Sequence, residues 1–211
     1  MASLSHSHVL KLVGLSIQAP YTYIISEYCK NGSLDKYIQS HPGQVSYRMR
    51  IDWVREVAEG MAYLHSKDIT HRDLKLSNLL LDAELHVKVA DLGTAAISSN
   101  QKHRTRAGTV DHSAPEMLEG RPYDRSCDVY SFGICLWSLF SGMPLYPGFT
   151  MFDIISRVTN GQRPSLDFIP SPRLSTIIEA CWHQDPAKRP TFAQLLDILT
   201  QLDDSDFRTF A

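Results

Sequence analysis

The spacing of apolar residues changes near Ser46, and this change constrains the fold more than any other feature of the chain. Residues 9–15 and 21–28 are rich in β-branched and aromatic side chains. They are separated by Gln18-Ala19-Pro20, which predicts two antiparallel strands with a short connection. Beyond Ser46 the apolar residues recur at helical steps of three and four: Ile51, Val54, Ala58, Met61 and Leu64. The sequence therefore predicts a small strand pair, then a long helix that leads to His71.

The rest of the chain continues this pattern. Leu79-Leu80-Leu81 and the run from His86 to Val89 predict two short strands around an Asp82-Ala83-Glu84 turn, which would bring Asn78 and Asp91 to neighbouring strand ends. After Pro115 the pattern predicts helices, including a strongly apolar one from about Cys127 to Phe140. The last helix should begin at Thr191, because Gln194 three residues later completes a capping box.

Composition limits the class of protein. With 211 residues, 43% hydrophobic content and 21 basic against 23 acidic side chains, the chain fits one soluble globular domain with no preference for nucleic acid or membranes. No apolar run is long enough to span a bilayer. The four cysteines lack a Cys-x-x-Cys spacing, so we expect buried free thiols and a cytoplasmic location.

Four short motifs carry chemical information, in the order His71-Arg72-Asp73-Leu74-Lys75-Leu76-Ser77-Asn78, Asp91-Leu92-Gly93, Ala114-Pro115-Glu116 and Asp128-Val129-Tyr130-Ser131-Phe132-Gly133. The first two resemble the catalytic loop and metal-binding triplet of protein kinases, and the others follow in that family's order. The resemblance implies an α+β fold with a mostly helical C-terminal lobe and a two-stranded remnant of the N-terminal lobe sheet. It implies a partial kinase domain over residues 1–202, with the remnant and hinge in 1–28, the C-terminal lobe in 29–202 and a tail in 203–211.

The resemblance also implies roles for individual residues. Asp73 would orient the substrate hydroxyl and accept its proton, while Asn78 and Asp91 would hold Mg²⁺. Lys75 would reach the γ-phosphate of ATP, and its presence is a mark of serine/threonine acceptors. Thr109 agrees, because a threonine here would hydrogen-bond Asp73 and Lys75. His112-Ser113 replaces the usual Tyr-Met, which leaves the preference for the residue after the acceptor open.

Nucleotide binding needs a backbone segment that reads adenine. By resemblance this hinge is Ser26-Glu27-Tyr28-Cys29, with the Glu27 carbonyl and the Cys29 N–H facing the purine and Leu80 below it. ATP and Mg²⁺ are the implied cofactors, and a protein with a serine or threonine acceptor is the implied partner.

Regulatory and scaffold positions follow from the same resemblance. Arg72 could pair with a phosphate on the activation segment, for which Thr105 is the candidate acceptor of an upstream kinase. Five residues are assigned structural roles: His71, Leu92, Glu116, Asp128 and Arg189. Leu92 stands where the family usually has phenylalanine. Cys181-Trp182 and Arg189-Pro190-Thr191-Phe192 resemble the tyrosine-kinase-like group of serine/threonine kinases.

The chain begins at Met1, beyond the point where the family's glycine-rich loop and strand lysine should lie, so we expect this polypeptide to be weakly active or inactive and to aggregate or bind a partner.

Three hypotheses remain open. A serine/threonine kinase is the first hypothesis, and a non-catalytic kinase-like scaffold is the second. A phosphotransferase for small molecules is the third, but Ala114-Pro115-Glu116, Asp128 and Arg189 belong to the peptide-positioning part of protein kinases.

Overall fold

The computed structural model describes residues 4–97 and 109–207, and these residues are mainly helical. The helices are α1 (Leu34–Ser40), α2 (Tyr47–Ser66), α3 (Pro115–Leu118), α4 (Ser126–Ser141), α5 (Met151–Thr159), α6 (Pro172–Cys181) and α7 (Phe192–Leu199). The strands are β1 (Leu12–Gln18), β2 (Tyr21–Ser26), β3 (Ile69–Thr70), β4 (Leu79–Leu81), β5 (Val87–Val89) and β6 (Ala96–Ile97). They form three antiparallel pairs: β1 with β2, β3 with β6 and β4 with β5. The predicted α+β class, mostly helical with a two-stranded remnant, is confirmed.

The N-terminal strand begins later than the sequence predicts. Val9 was expected in the first strand, but it forms an isolated bridge with Val89, and β1 starts only at Leu12. The backbone on either side of Val9 is taken by β5, because the Leu10 N–H donates to Val89 O at 2.9 Å and the Val89 N–H donates to His8 O at 2.9 Å. This segment therefore ties the β1–β2 hairpin to the helical body.

Two helix pairs build the core. Helix α4 packs against α6, and α2 packs against α7. Helix α4 is buried on nearly every side, as expected for a helix that is apolar all round. A Cβ added at Gly133 would lie 2.8 Å from Cys181 Cβ, so glycine permits the close approach of α4 and α6.

Local sequence signals set the helix ends. Helix α7 begins after Thr191, whose hydroxyl accepts from the Gln194 N–H while the Gln194 side chain accepts from the Thr191 N–H. The predicted capping box is thus present. All four cysteines are buried free thiols, as predicted. In the described part of the chain, no helix combines the length and apolar character that crossing a bilayer requires.

Candidate active site

A buried carboxylate shapes the loop between β3 and β4. Asp128 of α4 accepts hydrogen bonds from the His71 N–H and the Arg72 N–H, both at 2.8 Å, and its Oδ2 lies 2.8 Å from His65 Nε2. Burial alone would raise the pKa of Asp128, but the bond to His65, the charges of His65 and His71 and the Arg72 N–H together hold that pKa below its usual range. Arg72 has a φ of 71°, a left-handed conformation that costs a non-glycine residue about 1–2 kcal/mol. The Asp128 carboxylate offsets this strain and so fixes the backbone next to Asp73.

Asp73 lies at the centre of a dense hydrogen-bond network. Its Oδ1 accepts from the Thr109 N–H and the Thr109 hydroxyl, both at 2.8 Å. Its Oδ2 lies 2.9 Å from Lys75 Nζ and accepts from Asn78 Nδ2 at 3.1 Å. Lys75 Nζ also donates to Thr109 Oγ1 at 2.6 Å. The structure therefore brings Asp73, Lys75, Asn78 and Thr109 into direct contact, although Thr109 is distant in the sequence.

These contacts determine the charge of Asp73. Burial would raise the pKa of the Asp73 carboxyl, but hydrogen bonds from Lys75, Thr109 and Asn78 and the charge of Lys75 outweigh it and lower the pKa below its usual range. Asp73 is therefore ionised at neutral pH. A carboxylate has about four lone-pair directions, and four donors fill them here. A hydroxyl that approaches Asp73 must displace one of them.

Asn78 immediately precedes β4, and Asp91 lies two residues after the end of its partner strand β5. Leu79 pairs with Val89, and the Ala90 N–H donates to Asn78 O at 2.9 Å. Asp91 follows with a φ of 58° and an exposed side chain, and its Oδ1 accepts from the Gly93 N–H at 3.3 Å. The hairpin has the form that the sequence predicts, except that β5 begins at Val87 and not at His86.

The chemistry of these two side chains fits a magnesium ion. Asn78 donates its amide N–H groups to the Asp73 carboxylate and to Asp73 O, so its amide oxygen is the atom that would bind a metal. The exposed Asp91 carboxylate would supply a second oxygen. Among residues 4–97 and 109–207, no group of three or more His, Cys, Asp or Glu side chains could hold a metal by itself. Two oxygen donors suit Mg²⁺, which usually takes few protein ligands and completes its shell with phosphate and water.

The residues that follow the hinge segment border β4, because the Asn31 N–H donates to Leu81 O at 3.1 Å and the Leu81 N–H donates to Gly32 O at 2.8 Å. The Glu27 N–H donates to Lys11 O at 3.0 Å, and Glu27 Oε1 accepts from the Lys11 N–H at 2.7 Å. Within the described residues, the Glu27 carbonyl and the Cys29 N–H have no hydrogen-bond partner. Leu80, which bridges to Ser33, is half-buried on the adjacent strand. The two backbone groups assigned to adenine are thus available to a ligand.

The residues with predicted structural or regulatory roles differ in their burial and contacts. His71 is fully buried, with Nε2 2.8 Å from Ala90 O, and Leu92 packs against the core. Arg72 is partly buried. Thr105, its expected phosphorylated partner, lies outside the described residues.

Glu116 and Arg189 form a buried ion pair. Arg189 Nη1 lies 2.6 Å from Glu116 Oε1, and Nη2 lies 2.9 Å from Oε2. The same guanidinium donates to Ser126 O at 3.1 Å and to His183 O at 2.8 Å. The pair therefore links α3 to the start of α4 and to the segment before α7.

Sequence reasoning missed His65. It lies in the last turn of α2, is buried, and contacts the Asp128 carboxylate that holds the loop between β3 and β4. Its only signal was a histidine on the buried stripe of α2, which does not distinguish a partner of Asp128 from an ordinary core histidine.

Comparison with known proteins identifies relatives over nearly the whole chain. The sequence profile described as protein tyrosine and serine/threonine kinase matches residues 1–199. The chain is 36% identical to serine/threonine-protein kinase STY17 of Arabidopsis thaliana over 96% of its own length and 36% of the relative. It is 35% identical to serine/threonine/tyrosine-protein kinase HT1 of the same plant, over 97% of the chain and 53% of the relative. It is also 35% identical to cytoplasmic tyrosine-protein kinase BMX of Mus musculus, over 98% of the chain and 32% of the relative. The chain spans between about a third and about half of these relatives' lengths.

Proposed function

Because the chain belongs to the protein tyrosine and serine/threonine kinase family, we propose that its function is ATP-dependent phosphorylation of serine or threonine hydroxyls in proteins. The observation that carries this proposal is the contact of Asp73 with Lys75, Asn78 and Thr109. These residues gather a base, a cation and a metal-ligand oxygen around one point, which phosphoryl transfer requires.

Asp73 handles the proton. Its carboxylate accepts the proton of the substrate hydroxyl as the hydroxyl oxygen forms a bond to the γ-phosphorus, and the bond between that phosphorus and the bridging oxygen of ADP breaks. The low pKa of Asp73 keeps the carboxylate in the form that can accept a hydrogen bond. Lys75 Nζ lies 2.9 Å from Asp73 Oδ2, which also accepts from Asn78 Nδ2. If Lys75 turns to a phosphate, one acceptor position of Oδ2 becomes free for the substrate hydroxyl.

Asn78 and Asp91 would hold the magnesium ion, and the hinge would hold adenine. Bound Mg²⁺ neutralises phosphate charge and fixes the position of the triphosphate. The Glu27 carbonyl and the Cys29 N–H would pair with adenine above Leu80.

Lys75 and Thr109 support serine or threonine as the acceptor. The contact between Lys75 Nζ and Thr109 Oγ1 unites the two residues that the resemblance assigns to serine/threonine kinases. The relatives carry both serine/threonine and tyrosine kinase names, so the acceptor needs its own test.

A transfer assay tests this function. The chain is incubated with radiolabelled ATP, Mg²⁺ and a mixture of serine, threonine and tyrosine peptides, and the labelled amino acid is identified. We expect label on serine or threonine and none after Asp73→Asn. Label on tyrosine would overturn the acceptor class.

A binding assay covers the case of slow transfer. We expect a fluorescent ATP analogue to bind more tightly with Mg²⁺ than with EDTA, and Asp91→Asn to abolish this difference. Asp167→Asn, an exposed aspartate in the segment before α6, is the control. Magnesium-independent binding, unchanged by Asp91→Asn, would contradict the assigned site.

We expect the 211-residue chain to be weakly active or inactive. The 211 residues contain no Gly-x-Gly-x-x-Gly sequence that would cover the phosphates, and water that reached an uncovered site would weaken each electrostatic contact. A transfer rate typical of protein kinases, on the order of 1–100 s⁻¹, would contradict this expectation.

A non-catalytic scaffold is the second candidate. The observation that favours it is the apolar surface of the β1–β2 hairpin, which includes Ile17 at 80% exposure and Ile24 at 73%. Magnesium-dependent nucleotide binding would argue against it, because a scaffold has no use for a metal site.

We also propose that Arg72 responds to phosphorylation of Thr105 by an upstream kinase. A phosphate there would pair with the Arg72 guanidinium. Thr105→Glu should then increase Asp73-dependent transfer, and the double variant with Arg72→Ala should not.

A further inference from the structure

A cavity of about 320 Å³ adjoins the Asp73 network. Its lining combines the catalytic loop, the start of α1, α4 and the segment after Thr109: Asp35, Lys75, Leu76, Ser77, Thr109, Asp111, His112 and Ser138. Most of these side chains are polar. The volume is at the lower end of the range for ligand pockets, which suits one side chain of a bound peptide.

The cavity has a net negative lining. Asp35 and Asp111 contribute carboxylates, and neither forms an ion pair with a lysine or arginine in the described part of the chain. The cavity's lysine, Lys75, already lies 2.9 Å from Asp73 Oδ2. A cationic side chain would therefore find two carboxylates that are not ion-paired with any lysine or arginine of the described residues.

Asp111 is held in position. Its Oδ1 lies 2.8 Å from His112 Nδ1, and the carbonyl of His112 accepts from the Ser131 hydroxyl at 2.8 Å. Burial would raise the pKa of Asp111, but the contact with His112 outweighs it and lowers the pKa, so the carboxylate is charged at neutral pH. A carboxylate that is already held in position loses little conformational entropy when a ligand binds. It therefore distinguishes a cationic ligand from a neutral one better than a mobile carboxylate does.

The cavity is in contact with the catalytic residues. Lys75 and Thr109 line the cavity, and they also contact Asp73, Lys75 at Oδ2 and Thr109 at Oδ1. A peptide that presents a hydroxyl to Asp73 thus has a neighbouring residue within reach of the cavity.

We propose that Asp35 and Asp111 determine substrate specificity by binding an arginine or lysine close to the acceptor serine or threonine. This proposal rests on the function proposed above and adds a substrate class, basic peptides. The chain itself contains such a sequence, since Arg104 and Arg106 flank Thr105.

The test measures binding instead of transfer, so it works with a weakly active chain. The probe is a fluorescent peptide with the sequence of residues 101–108, and its partner carries citrulline, the neutral analogue of arginine, at both arginine positions. The protein is the full chain with Arg104→Gln and Arg106→Gln, which prevents its own arginines from competing. At low ionic strength we expect the arginine peptide to bind about tenfold more tightly than the citrulline peptide.

Isosteric variants assign the preference to the cavity. Asp111→Asn should remove most of the preference and Asp35→Asn part of it, because each keeps its shape and loses its charge. Glu179→Gln, an exposed site on α6, changes the net charge equally and should keep the preference. Equal binding of both peptides, or a preference that survives the Asp35→Asn/Asp111→Asn double variant, would overturn the proposal.

The outcome is separable from that of the proposed function. Asp73-dependent transfer without arginine preference would reject the cavity and keep the kinase. Arginine preference without magnesium-dependent nucleotide binding would keep the peptide site and reject the catalytic role.

Discussion

Asp73 and Lys75 depend on each other at the level of single residues. The ammonium of Lys75 compensates the burial of Asp73, and Asp73 together with Thr109 Oγ1 fixes the position of the ammonium. A carboxylate in this environment stays ionised at lower pH than a free aspartate. The effect of Lys75 on Asp73 can therefore be tested by titration of the Asp73 carboxyl without any substrate.

We predict that Lys75→Met raises the pKa of Asp73. Burial remains, whereas the main hydrogen bond and charge that oppose it are lost. Carboxyl-carbon NMR across the acid range measures the pKa, with Asp73→Asn to assign the signal. Because Asp73 must be ionised to accept the proton, the acidic limb of the pH–rate profile for transfer should move to higher pH. Lys88→Met, which removes a lysine 3.6 Å from Asp82, is the control, and an unchanged Asp73 midpoint in Lys75→Met would contradict the prediction.

We predict a large loss of stability for Arg189→Met. The change leaves Glu116 buried without its cation, which costs about 3–5 kcal/mol. Urea unfolding measures the free energy of unfolding. Arg173→Met is the control, because Arg173 is exposed and its pair with Asp206 at 3.6 Å is worth about 0–1 kcal/mol. The double variant Glu116→Gln/Arg189→Met should recover part of the loss, and similar losses for the two single arginine variants would refute the argument.

At the level of elements, α2 and the N-terminal segment meet at Gly60. A Cβ there would lie 2.5 Å from His8 O, a backbone atom that cannot turn aside as a flexible side chain could. His8 O accepts from the Val89 N–H, so the contact supports the join between this segment and β5.

We predict that Gly60→Ala loosens this join. Alanine in a helix normally gains up to about 1 kcal/mol over glycine, but here the clash should outweigh the gain. Hydrogen exchange should become faster at the Leu10 and Val89 amides. Gly14→Ala, where an added Cβ meets no atom within 4 Å, should leave those rates unchanged. Protection in Gly60→Ala equal to that of the unaltered chain would argue against the contact.

Sequence reasoning found the elements that carry strong local signals. Helices α2, α4 and α7 were predicted because they have long apolar patterns or a capping box. Helix α1 and the two-residue strands β3 and β6 were not, because they are short and held by tertiary contacts. In α1 only Leu34 is buried, and its N-cap Ser33 makes no side-chain capping bond.

The candidate site shows the same division. Asp73, Lys75 and Asn78 are close in sequence, so a motif identifies them together. The left-handed backbone of Arg72 could not be predicted from neighbouring residues, since it depends on a carboxylate in α4. Asp35 and Asp111 share a cavity only because the fold brings α1 next to the segment after Thr109.

At the level of the whole molecule, apolar surface is concentrated on the β1–β2 hairpin. Val13, Leu15 and Ile17 alternate along β1 at 63%, 61% and 80% exposure, and Ile24, opposite Leu15, is 73% exposed. A two-stranded sheet is marginally stable alone, and its unpaired edges can pair with another chain. The helical body has its own core, so the hairpin can change without loss of the rest.

We predict that the isolated chain self-associates through this hairpin. Association buries the apolar face and pairs the free strand edges, so the sedimentation coefficient should rise with concentration. The triple variant Leu15→Thr/Ile17→Thr/Ile24→Thr keeps β-propensity and removes apolar area, so it should sediment as a monomer with the same helical circular dichroism. The matched control is Met151→Thr/Phe152→Thr/Phe168→Thr, which changes three exposed apolar residues at 59%, 82% and 49%, two in α5 and one in the segment before α6. If this control, and not the hairpin variant, abolishes association, the contact surface lies on the helical lobe.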